Sequence, residues 1–186
     1  MNSSFDFGEV EALLALAVGQ PGDRTFYFQV HSTRAAYNFK AEKVQIRGIA
    51  EYLEKLADAS GVGGTVALPR AVPVDTTEWI VGEVTVALEE SAGRIHVVLS
   101  EVSELTEVEA EAELLGLFDP DQHEDESEDD QDEEDDNVSV ARMILTPALA
   151  RSFALAAKEL VAAGREICDL CGLPIDPDGH FCPRMN

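Results

Sequence analysis

A chain of 186 residues with 45% apolar content has room for one domain with its own core, or for a domain and a small appendage. Its formal charge of −24 leaves no basic patch, which argues against nucleic acid as a partner and against anionic membrane surfaces. Thirteen of the 37 acidic residues lie between Asp119 and Asp136, a stretch without Lys or Arg.

The opening MNSSFDFGEV lacks the basic start and apolar centre of a signal peptide. Phe5 to Val18 opens with an acidic-aromatic lead, and the EVEALLALAV that follows, bracketed by Gly8 and Gly19, reads as a buried strand. Its longest unbroken part, Ala12 to Val18, is far too short to span a bilayer. After the GQPGD turn, RTFYFQVHS alternates. Phe26, Phe28 and Val30 fall on one face, and Thr25, Tyr27, Gln29 and His31 on the other. AYNFKA is its expected hairpin partner.

EKVQIRGIAEYLEKLADAS places Ile46, Ile49, Ala50, Leu53, Leu56 and Ala57 on one helical stripe, stopped by the glycines from Gly61. Residues 61–77 carry Gly, Pro and Thr with little pattern and read as a connecting loop. EWIVGEVTVALEE alternates again, with Ile80, Val84, Val86 and Leu88 on one face. Ser91-Ala92-Gly93 turns the chain into RIHVVLSEV. Thr106 to Phe118 reads as an extension that leaves the fold, and the acidic run as a self-repelling disordered loop. NVSVARMIL returns as a strand. Thr146 and Pro147 then form a helix start, with Leu149, Phe153, Ala156, Ala157 and Leu160 as its apolar stripe and Gly164 as its stop.

Two amphipathic helices and hairpin-sized turns predict an α+β fold: a two-layer sandwich of a mainly antiparallel sheet under two helices. The expected division is an α+β domain over residues 1–164, with residues 119–136 an acidic insert, and a tail over residues 165–186.

That tail, CDLCGLPIDPDGHFCPRMN, holds all three cysteines of the chain. Cys168-x2-Cys171 lets two thiolates face one ion, and His180-x-Cys182 supplies two further soft ligands after an eight-residue gap rich in turn residues. Four such ligands close a tetrahedron, so the expected cofactor is a structural zinc ion rather than a catalytic one. The plainer alternative is unbridged cysteines in a flexible tail. A redox dithiol would need a thioredoxin-like strand and helix before it, which the order of elements does not offer. An odd number of thiols, two of them in one short motif, points to a reducing compartment and a cytoplasmic location.

No catalytic set is visible. His31 and His96 lie on strands and read as sheet-face residues, and Glu83 as a solvent-facing acid. Asp23 and Arg24 sit at a strand–strand tip. They form either a functional surface or a turn-stabilising pair, and PGDR lacks the spacing of a phosphate loop. The acidic run lacks the spacing and central glycine of an EF-hand.

GQPGDRTFYFQV, AEKVQIRGIAEYLEKLA, TPALARSFALAAKELV and GREICDLCGLPIDPDGHFCPRMN together resemble the actinobacterial family known as domain of unknown function 3090. The resemblance covers nearly the whole chain, and the tail is its most specific part. It departs in the long acidic stretch and in the N-terminal lead. It implies a cytosolic protein with a zinc site on Cys168, Cys171, His180 and Cys182, and it implies no reaction. Asp23 and Arg24 match its PGxR-like turn. The function expected is a non-enzymatic adaptor or regulatory module with a protein partner. The alternative is a small-molecule-binding protein or enzyme using the Asp23/Arg24 turn.

Overall fold

A computed structural model describes residues 3–33, 35–103, 138–163, 168–173, 175 and 181–185. The expectations for Thr106–Phe118, the acidic run, Gly164 and His180 lie outside these residues.

The elements follow the order β1 (Phe5–Glu9), β2 (Ala12–Val18), β3 (Thr25–His31), β4 (Ala36–Ala41), α1 (Lys43–Ala59), β5 (Val81–Glu89), β6 (Arg94–Glu101), β7 (Val140–Leu145) and α2 (Pro147–Ala162). They build an α+β fold. The expected single sheet is divided into two, β1-β7-β6-β5 and β2-β3-β4, antiparallel except for the parallel β1–β7 pair.

The division begins in the first apolar run. Phe5 to Val18 is one extended segment shared between the sheets. At its break Val10 donates its amide to Ile144 of β7, and Glu11 donates to His31 of β3. Beyond it, Ala12, Leu13 and Leu14 are all buried, so no alternation marked the crossing. The far edges are sutured as well. Lys40 of β4 bridges Ile80 ahead of β5, and the Lys40 amide donates to Trp79. Two sheets joined at both ends leave fewer open edges than two separate ones would.

In β3 and β4 the expected apolar face holds, but Gln29 and Asn38 on the opposite face are buried as well. Phe28 and Val30 are fully buried and face Phe39 and Tyr37 across the ladder. Phe39 packs at a tilt against Trp79, and Phe5 and Phe7 of β1 pack on Tyr37 from the other sheet. In β5 the face differs from expectation at its start. Ile80 is exposed and Val81 buried, while Val84, Val86 and Leu88 are half-buried. A bulge between Val81 and Glu83 inserts one residue against β6 and reverses the phase. It is built on Gly82, where a Cβ would lie 2.8 Å from the Val102 Cα.

Helix α1 buries Ile46, Ala50, Leu53 and Ala57, as its stripe predicts. Gln45 accepts from the Glu42 amide through its Oε1 and donates to the Val81 and Gly82 carbonyls through its Nε2. The helix start is thereby tied to the bulge. Helix α2 begins as expected, with the Leu149 amide donating to the Thr146 hydroxyl and Pro147 in the first turn. Its stripe is shifted. Ala156 is exposed, while Ala150, Phe153, Ala154 and Ala157 are buried. The helix packs on both α1 and β2, so its buried face is wider and centred nearer Ala150 and Ala154 than one stripe suggests. Phe153 stacks on Phe28 at the centre of the core.

Residues 61–77 have no regular structure, as expected, yet they are pinned along their length, and the following strand begins at Val81 rather than Glu78. The Ser152 hydroxyl bonds both the amide and the carbonyl of Val66. The Gln29 side chain does the same to Val72, and Asn38 donates to the Thr76 carbonyl. Arg151 donates to the Val62 and Gly64 carbonyls. Gln29, Asn38 and Ser152 are three of the four buried polar residues in the described core. Each bonds the strap, and the Gln29 amide also satisfies the Asn38 oxygen, which is how polar groups become tolerable inside a protein.

Candidate metal centre

The tail begins beyond α2. The Gly172 amide donates to the Cys168 carbonyl, and the Cys168 amide donates to the Leu173 carbonyl, each at 2.8 Å. These two bonds close a tight turn over the Cys-x2-Cys motif. It requires φ of +73° at position 172, a left-handed backbone that glycine adopts without steric cost. The Met185 amide donates to the Cys182 carbonyl, and Arg184 reaches back to the Leu170 carbonyl at 2.9 Å. That last bond sets the second cysteine segment against the first turn.

The sulfurs of Cys168, Cys171 and Cys182 consequently lie within 4.8 Å of one another, and Cys168 and Cys182 approach to 3.9 Å. This is far beyond the roughly 2.05 Å of a disulfide, and all three are free thiols. A tetrahedral ion with metal–sulfur bonds of about 2.3 Å would set its sulfurs about 3.8 Å apart. The Cys168–Cys182 pair stands at that separation, and Cys171 lies close enough to both to join them on one ion. Backbone hydrogen bonds at Cys171 and Leu170 pull the Cys168 thiol down to about 6, while burial pushes Cys171 up. A thiolate held ready by amide donors is the species a metal binds. Cys182 is buried, and the other two are partly accessible. The structure thus brings together three of the four expected ligands. The fourth, His180, lies outside the described residues.

The other residues singled out in the sequence take up separate tasks. Arg24 donates to the carbonyl of Ala163, the C-cap of α2. Among the described residues no ion pair joins it to Asp23, which is exposed in a turn closed by its own amide on the Gln20 carbonyl. A guanidinium at a helix C-terminus answers both the open carbonyl and the helix dipole. His96 contacts the exposed Glu89 at 3.1 Å, an ion pair only when protonated, and that contact lowers the Glu89 carboxyl. His31 bonds the Gln29 amide oxygen at 2.8 Å, and burial holds its ring below the ordinary value despite the opposing charge of Glu11. Glu83 is solvent-facing, as expected. A cavity of about 450 Å³ opens between Arg47, Glu51, Glu54 and Lys55 of α1 and Lys158 of α2, with Lys158 paired to Glu54. None of Asp23, Arg24, Glu83 or His96 lines it.

Sequence reasoning missed Gln29, Asn38, Ser152 and Arg151, which hold the strap. Gln29 and Asn38 stand directly opposite each other in the β3–β4 ladder. Two facing amides in a hairpin otherwise rich in aromatics were the available signal. No helix among the described residues is long and apolar enough to cross a membrane. A family model described as "Protein of unknown function (DUF3090)" matches residues 5–182, from the first strand through the last cysteine. Neither the curated proteins nor the solved structures gave a match.

Proposed function

The chain belongs to the DUF3090 family of proteins of unknown function, and on that footing we propose that it is a cytoplasmic, non-enzymatic adaptor or regulatory module whose tail is folded by a structural zinc ion. The observation that carries this reading is the cluster of three thiols within 4.8 Å of one another. Cys168, Cys171 and Cys182 would hold the ion with His180 as fourth ligand. Zinc suits three thiolates and one imidazole, and a full set of four protein ligands leaves no position for a substrate. A tail with so little core of its own depends on such an ion to fold.

The absence of enzymatic chemistry in this reading is supported by where the ionisable side chains go. Arg24 caps a helix, His31 serves Gln29, and His96 faces an exposed glutamate on its own hairpin. They do not line the cavity between the helices, so small-molecule chemistry at the Asp23/Arg24 turn gains no support. The deciding experiment is zinc removal with a chelator, followed by circular dichroism and amide exchange. The reading expects loss of protection in residues 168–185 with the sheets intact. A tail equally protected with and without metal would refute it.

A further inference from the structure

Cys168 and Cys182 lie on different segments of the tail, and their sulfurs stand 3.9 Å apart. A disulfide needs them about 1.9 Å closer. The bond from Arg184 to the Leu170 carbonyl already holds the two segments together, so closing that gap requires no search by the chain. Cys168 and Cys171, by contrast, are carried by one turn closed by two backbone bonds. The Cys168 and Cys182 segments are tied at a side chain and have more freedom to shift. Access separates the thiols as well. Cys182 is buried and Cys168 partly accessible, so an oxidant arriving from solvent meets Cys168 first, with Cys182 behind it.

We propose, resting on the zinc-tail reading above, that the tail is an oxidation site for hydrogen peroxide: Cys168 reacts, Cys182 resolves, and the disulfide between them evicts the ion. The Cys168 sulfur attacks one peroxide oxygen, the O–O bond breaks and hydroxide leaves, giving a sulfenic acid. The Cys182 sulfur then attacks the Cys168 sulfur, the S–O bond breaks and a second hydroxide leaves. Each hydroxide takes a proton, from the sulfur that displaced it or from solvent, and becomes water. The two sulfurs lose two electrons in all, and the peroxide gains them. The disulfide removes two donors from the ligand set, and Cys171 and His180 alone are too few for a closed site. The pair is not the Cys-x2-Cys dithiol, because the resolving sulfur comes from 14 residues further along the chain. A thiol such as glutathione reverses the change by attacking the disulfide. The metal state of the tail thereby follows the balance of peroxide and thiol around it.

The test uses full-length protein whose zinc content is measured before hydrogen peroxide is added. Released zinc is read with a chromophoric chelator, free thiols with a thiol reagent, and pairing by mass spectrometry of unreduced peptides. The expected result is about one zinc released per chain. Free thiols should fall from the three of the untreated chain to one, with Cys168–Cys182 the main linked pair. Dithiothreitol with added zinc should restore all three thiols and the metal. Cys182→Ser should stop at a sulfenic acid on Cys168 that dimedone captures. Capture at Cys171 in that variant would overturn the order of attack. In the wild type, a main product linked through Cys171, links between chains, or sulfinic acid without a disulfide would overturn the proposal. Zinc absent from the untreated protein would sink the zinc-tail reading itself. Zinc present but retained on oxidation, or released with a different pair joined, would sink this inference alone.

Discussion

Gln29→Met tests whether the strap is fastened as the hydrogen bonds indicate. The substitution keeps the length and most of the volume of a fully buried side chain and removes every polar atom from it. Four bonds disappear: two with the backbone of Val72, one with Asn38 at 2.7 Å and one with His31 at 2.8 Å. Val72 and His31 are accessible enough to turn to water. The Asn38 oxygen, on a residue only 4% exposed, is not. Leaving that acceptor orphaned costs about 1–3 kcal/mol, and loosening the strap adds about 1 kcal/mol. The expected loss is therefore about 3 kcal/mol, or a fall in Tm of roughly 6–12 °C for a chain of this size. Urea titration should move the midpoint without changing the slope, and amide exchange should show lost protection at Val72. Adding Asn38→Leu should cost less than the two single losses summed, because the second change removes the orphan left by the first. A loss below about 1 kcal/mol with Val72 still protected, or strict additivity in the double variant, would refute the account of the strap.

Gly82→Ala should lower stability by about 1–3 kcal/mol in thermal melts, since the new methyl meets the Val102 backbone rather than a side chain able to move. Arg24→Ala should cost about 0.5–1 kcal/mol through the uncapped end of α2 and leave zinc content unchanged, which melts and metal analysis on one sample would show. His31 titrates below its ordinary 6.5 because burial disfavours the charged ring. Its stabilising contribution is therefore complete above pH 6.5 and declines as pH falls towards the lower folded value. Urea midpoints measured down from pH 7 should fall less steeply in His31→Gln than in the wild type.

Much of the fold was legible because its signals are local. The alternation of Phe26, Phe28 and Val30, the stripe from Ile46 to Ala57, and Thr146 before Pro147 each follow from spacing within a few residues. The split of residues 5–18 into two strands was not, since consecutive buried residues there erase the phase. The parallel pairing of Phe5 with Ala141 joins segments more than a hundred residues apart, and no local pattern encodes it. Ile80 lies off the face its spacing predicts because a bulge inserts one residue without altering composition. The thiol cluster was readable because Cys-x2-Cys forms a turn closed by its own backbone bonds and Cys182 is the only cysteine left to join it. The strap was not. Its hold comes from Gln29, Asn38, Arg151 and Ser152, side chains on other elements, while its own sequence shows only Gly, Pro and Thr.

Metal content bears most directly on the claim that the tail is a zinc-folded unit. Elemental analysis of full-length protein, purified without chelator and compared with Cys168→Ser, should find about one zinc per wild-type chain and a clear loss in the variant. Wild-type protein without stoichiometric zinc, or a Cys168→Ser variant that retains it in full, would contradict the account.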